Sequence, residues 1–204
     1  MSKPILEHIG YYKVKKNIKQ FLFNWKIQLE DSSKRTATAK AIKALTDNLL
    51  SPMNNNTDII VSLTSYGDRV VKTLPFTLYS LLTQTLLPGR IVCWLDQQNW
   101  NNDNLPHILK KLQRAGVDFC YTDDLRSYKK LIPALKQYPN NVIITVDDDM
   151  YYNSHTIEWL VDAYLKSDKQ TVIGTFGRME SSVNGTYVPY NQWITPPQKD
   201  GGLR

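Results

Sequence analysis

Cysteine, histidine and long apolar runs are all scarce in this chain, and each shortage removes a class of answer. Its 204 residues include two cysteines and three histidines. Cys93 and Cys120 each sit inside a strand-like run, where a thiol serves as a small apolar side chain, so neither a disulfide framework nor a zinc site is indicated. No run approaches the roughly 20 apolar residues of a membrane span, and the N-terminus lacks the apolar core of a secretion signal. A reducing, cytoplasmic setting is the expectation. No Gly-x-Gly-x-x-Gly follows the first strand-like run and no Walker lysine motif occurs, which argues against a dinucleotide dehydrogenase and a P-loop enzyme.

Charge is present but unevenly placed. Residues 1–50 hold ten Lys/Arg against four Asp/Glu, which accounts for the whole net charge of +6. Within them, residues 11–26 mix Lys13, Lys15, Lys16 and Lys19 with Ile18, Phe21, Leu22 and Trp25 at helical spacing. Such a basic amphipathic helix either packs its apolar stripe on the body of the protein or lies on an anionic membrane surface. Peripheral contact with the cytoplasmic face of a membrane is therefore one expectation. Nucleic acid is disfavoured, because no binding motif accompanies the charge and the remainder of the chain is neutral. A second helical stretch, 37–50, leads into the polar linker around Pro52 and Asn54 to Asn56, so residues 1–56 read as a basic helical segment.

From residue 57 strand-like and helix-like stretches alternate, the pattern of a mostly parallel sheet with helices on both faces. Strands are expected at 58–65, 90–95, 117–122, 142–146 and 171–176, and helices at 70–85, 105–115, 125–138 and 155–166. An α/β Rossmann-like domain at 57–178 follows, with 179–204 as a separate polar segment containing an Asn184-Gly185 turn. The strand ends share a property. Asp96 follows the second strand, Asp123 and Asp124 the third, and Asp147, Asp148 and Asp149 the fourth, so polar and acidic residues converge on one sheet edge.

Three adjacent carboxylates repel one another and need a cation, solvent or protons. In an extended segment alternate residues point the same way, so Asp147 and Asp149 would share an oxygen-ligated divalent ion while Asp148 faces elsewhere. The competing reading is a solvated loop before a helix capped at Asn153 or Ser154. Asp96 is placed either to accept hydrogen bonds from a ribose or base or to cap a turn. Thr64, Ser65 and Tyr66 offer hydroxyls and a ring for stacking. Arg126, Lys129 and Lys130 either balance a diphosphate or form a solvated helix face.

Taken together, the strand leading to Thr64-Ser65-Tyr66, the strand ending at Asp96 and the apolar strand running into Val146-Asp-Asp-Asp149 resemble the nucleotide-sugar-binding half of GT-A type glycosyltransferases. The likeness is to the bacterial family 2-like, surface-polysaccharide group, over residues 57–178. It implies a nucleoside-diphosphate sugar, often a UDP-sugar, as donor, with Mn2+ or Mg2+ bridging the diphosphate to Asp147 and Asp149. Beside the metal it implies a base- or ribose-binding Asp96, a base-contacting loop at Thr64, Ser65 and Tyr66, and a donor site completed by Asp148, Lys129 and Lys130. The acceptor would be a cell-envelope glycan or a lipid-linked saccharide. In the group a catalytic base comes late in the chain; here 55 residues follow Asp149, and Glu180 and Asp200 are the late carboxylates in view. The expectation is accordingly a truncated enzyme, with 179–204 as the start of an incomplete acceptor-side segment, or a non-catalytic nucleotide-sugar-binding module, with the base unassigned.

Overall fold

A computed structural model describes residues 32–44, 57–175 and 180–193. The basic helix expected at 11–26 lies outside the described residues, as do positions 45–50 of the second. The described residues up to Ile157 belong to one compact unit, and those from Glu158 onward to another.

The first unit is built on four strands: β1 (Ile59–Thr64), β2 (Arg90–Asp96), β3 (Val117–Thr122) and β4 (Val142–Thr145). All pair in parallel, in the order β3-β2-β1-β4. Ile60 stands opposite Arg90 on one side and Ile143 on the other, so β1 is an inner strand, with β2 on one side and β4 on the other. The β-branched runs account for the burial: the inner residues of β1 and the last six of β2 are buried on both faces, as a parallel sheet covered on both faces requires. Gly89 admits the approach to β2. A Cβ there would lie 2.3 Å from the Thr57 carbonyl oxygen, while its own N–H donates to Ile59 O at 2.8 Å.

Helices fill the connections. The first described helix, α1 (Ser32–Ala44), packs against α3 (Leu74–Leu82) and α4 (His107–Arg114). The single helix expected at 70–85 is two, α2 (Arg69–Lys72) and α3, broken at Thr73. Pro75 is the reason: lacking an N–H, it suits the first turn of a new helix and not the interior of an old one. Leu74, Leu78, Leu81 and Leu82 are buried as their spacing requires. Likewise the helix expected at 125–138 is a 3-10 turn, Arg126–Lys130, followed after Leu131 by α5 (Ile132–Gln137), with Pro133 opening the second piece. Ala134 of α5 packs into a buried cluster with Ile60, Val92 and Trp94.

The last helix, α6 (Thr156–Leu165), was expected at nearly these bounds. The strand expected at 171–176 is absent: 171–175 carry no strand, and Phe176 lies outside the described residues. Val172 is 80% exposed and Thr171 Oγ1 donates to Asp168 Oδ1, so β-branching here has no sheet partner among the described residues to act through. Beyond it, β5 (Ser182–Val183) and β6 (Thr186–Tyr187) form a hairpin. Its turn residues Asn184 and Gly185 have φ of 50° and 76°, the pair of left-handed positions that a tight hairpin needs.

Candidate functional site

Because β1 lies between β2 and β4, the chain leaves β1 toward one side and reaches β4 on the other, and the two exit loops part at the carboxyl edge. Open α/β sheets bind ligands in that crevice. A cavity of about 430 Å³ occupies it, lined by Thr64, Tyr66 and Arg69 from the β1 exit, by Val146, Asp147 and Asp148 from the β4 exit, and by Asp124, Arg126, Ser127, Lys129 and Lys130 from the segment after β3.

The acidic triplet is arranged differently from the alternation expected of it. The strand stops at Thr145 and the chain turns at Asp148 and Asp149, so the two-residue period no longer applies. Asp148, expected to face elsewhere, is the buried member and lines the cavity; its Oδ2 accepts from Ser65 Oγ at 2.5 Å and its Oδ1 from Arg69 Nη1 at 2.9 Å. Asp149 forms an ion pair with the other terminal guanidinium nitrogen of Arg69 at 3.1 Å, and Asp147 pairs with Lys130 Nζ at 2.6 Å. Each of the three carboxylates therefore has a protein cation beside it. Arg69 was not foreseen: it follows a short turn and carries no motif, and only the fold brings it beside residues 79 and 80 positions later in the chain.

Arg69 is also tied to the stacking loop. Its guanidinium carbon stands 5.2 Å from the centroid of the exposed Tyr66 ring. Partial burial works against its charge, but Asp148 and Asp149 outweigh that and raise its pKa further. Across the cavity Lys129 is buried, with Nζ 2.6 Å from Asp124 Oδ1, and this bond holds the Asp124 carboxyl below the usual range. Arg126 takes a left-handed backbone (φ 54°), and its N–H donates to Asp124 Oδ1 at 3.0 Å.

Buried polar side chains fix this geometry from behind. On the inner face of β1, Ser62 donates from Oγ to Lys130 O at 2.6 Å and accepts from Trp94 Nε1 at 3.0 Å, which ties the cationic segment to the sheet. Thr64 Oγ1 donates to Trp94 O. On the leucine-rich α3 and just past its end, Thr77, Ser80 and Gln84 are buried polar side chains. Thr77 Oγ1 donates to Met150 O, Ser80 Oγ accepts from Tyr152 N, and Gln84 Nε2 donates to Asn153 O, so α3 and the residues that follow it hold the loop after the triplet. The Tyr152 hydroxyl accepts from Asp147 N at 2.8 Å; burial drives that phenol's pKa far up.

Of the residues expected at the site, the cavity gathers Thr64, Tyr66, Lys129, Lys130, Asp147 and Asp148, with Ser65 behind Asp148 and Asp149 on the far side of Arg69. Asp96 is not among the lining residues. It is buried, and its Oδ1 accepts from both N–H and Nδ2 of Asn99, the turn-capping arrangement.

As a donor set for a divalent ion, Asp147 and Asp149 supply oxygen ligands only, and no group of three or more His, Cys, Asp or Glu able to hold a metal occurs among the described residues. Two carboxylates fit a Mg2+- or Mn2+-type ion that takes its other ligands from phosphate and water, and do not fit one held by protein alone. No family model and no curated protein matches the chain.

Proposed function

We propose that the cavity receives the diphosphate of a nucleoside-diphosphate sugar, with a UDP-sugar as the first candidate, and that the chain is the donor-binding unit of a GT-A type glycosyltransferase acting on a cell-envelope glycan or lipid-linked saccharide. One observation carries this reading: the crevice between β1 and β4 is lined by four cationic side chains, Arg69, Arg126, Lys129 and Lys130, beside an acidic strand end. A diphosphate leaving group needs its charge neutralised as the sugar departs. Asp147 and Asp149 would hold the Mn2+ or Mg2+, which supplies Lewis-acid stabilisation of the phosphate oxygens when bound. Lys130 and Arg69, released from those carboxylates, would then turn to the phosphates. Tyr66, exposed at the mouth, offers a ring to the base. Asp96 enters this reading only if its bonds to Asn99 are given up.

A non-catalytic module that binds a nucleotide sugar without metal is the second reading. It is favoured by the existing pairing of all three carboxylates with Arg69 and Lys130. Calorimetric titration of UDP into the folded chain, with Mn2+ and then with EDTA, separates the two. Binding that needs Mn2+ supports the first, equal binding in both supports the second, and no binding in either removes both.

A further inference from the structure

Residues 125–137 present their helical surface inside out. The side chains turned inward are Lys129, Pro133 and Ala134, whereas Leu125, Tyr128, Leu131, Ile132 and Leu135 are 37–65% exposed. Leu125, Tyr128 and Leu131 recur every three residues around the 3-10 turn, and Ile132 and Leu135 are three apart on α5, which strings these five exposed side chains along one short segment. Five of the twelve large apolar side chains exposed among the described residues thus fall within eleven positions, a concentration that scattered surface leucines do not show.

Within the segment itself the charge has one sign, although the exposed Asp123 and Asp124 immediately precede it. Residues 57–157 balance ten Lys/Arg against ten Asp, yet 125–137 contain Arg126, Lys129, Lys130 and Lys136 and no acid. Lys129 and Lys130 are engaged by Asp124 and Asp147. Arg126, 89% exposed and only 3.8 Å from Asp124 at its nearest approach, and the exposed Lys136 stand at the two ends of the apolar segment.

We infer that this segment docks on an anionic lipid surface. Aliphatic side chains and one tyrosine between two exposed cations are the composition that settles at a headgroup boundary, with the apolar groups below it and the cations among the phosphates. A second copy of the chain would set like charge against like across a two-fold axis. A nucleic acid would find one aromatic ring where a stacking platform needs several. The site differs from the basic helix at 11–26, and the inference does not depend on what the cavity binds. It does have a consequence for it: Arg126, Ser127, Lys129 and Lys130 of this same segment line the cavity, so docking seats the cavity rim at the lipid surface, within reach of a lipid-linked substrate.

Hydrogen exchange of the full chain, followed by peptide with vesicles of phosphatidylglycerol and phosphatidylcholine and with phosphatidylcholine alone, tests it locally. The expected result is slowed exchange across 125–137 with the anionic vesicles only, weakened by added salt. In a Leu131→Ser/Leu135→Ser variant with unchanged circular dichroism, that local protection should fall at least about tenfold even where 11–26 still hold the chain on the vesicle. Protection confined to other segments overturns the inference. So does protection of 125–137 that appears without lipid as protein concentration rises, which would identify a second copy, or protection that the double variant retains.

Discussion

Replacing Arg69 by methionine keeps most of the side chain's length and removes its charge, and the structure allows the consequence to be sized. Two ion pairs are lost, at 2.9 Å to Asp148 and 3.1 Å to Asp149, and Asp148 is left buried with Ser65 Oγ as its remaining side-chain partner among the described residues. Removing one member of a buried pair costs roughly 3–5 kcal/mol, and of an exposed pair roughly 0–1 kcal/mol. Arg69 is 41% exposed and Asp148 6%, so the expected loss lies between, about 2 kcal/mol. For a chain of this size that is a fall in Tm of about 4–8 °C. Urea denaturation of Arg69→Met, Asp148→Asn and the double variant should return most of this as coupling between the two positions. A second readout follows from competition: with Arg69 gone, Lys130 is the one cation paired to the triplet among the described residues, so millimolar Mn2+ should raise Tm more in Arg69→Met than in the parent chain. A loss below about 0.5 kcal/mol, or an equal Mn2+ response in both chains, would refute the reasoning.

Ser62→Ala removes the hydroxyl that joins Lys130 O to Trp94 Nε1, taking that partner from a buried indole N–H and a partly buried carbonyl; a loss of about 2 kcal/mol is expected by denaturation, with altered tryptophan fluorescence. Ser62→Ala within about 0.5 kcal/mol of the parent would mean that the segment after β3 is held by other contacts. Gly89→Ala drives a Cβ onto the Thr57 carbonyl and should cost about 2 kcal/mol or more, read as a lower urea midpoint with unchanged slope. The Tyr152 phenol is raised far above its ordinary value near 10 by burial, so above that pH the unfolded chain releases a proton that the folded chain keeps. Stability contributed by this group is therefore complete below pH 10 and lost as pH rises beyond it, by about 1.4 kcal/mol per pH unit. Tyr152→Phe should show a shallower alkaline decline while losing about 1 kcal/mol at neutral pH with the bond from Asp147 N; parallel alkaline slopes would count against it.

The local chemistry of the chain decides most of its elements without reference to the rest. The runs at 59–64, 90–96, 117–122 and 142–145 become strands because each is short and dominated by β-branched, aromatic and other apolar residues, and Pro106 and Gly116 bound α4 by what their own backbones permit. The parallel α/β class and the acidic strand end are legible for the same reason. What no local rule supplies is partnership. Thr171 and Val172 have the composition of a strand and no strand to pair with among the described residues. The site depends on partnership most of all. Pairing β1 with both β2 and β4 brings Arg69 beside Asp148 and Asp149, buries Lys129 while Leu131 and Leu135 remain outside, and sets Thr77, Ser80 and Gln84 behind the acidic loop. These contacts span about 70 to 80 residues of chain. A charge or hydroxyl has the same propensity wherever it stands, and only the folded sheet determines which opposite charge or open carbonyl it meets.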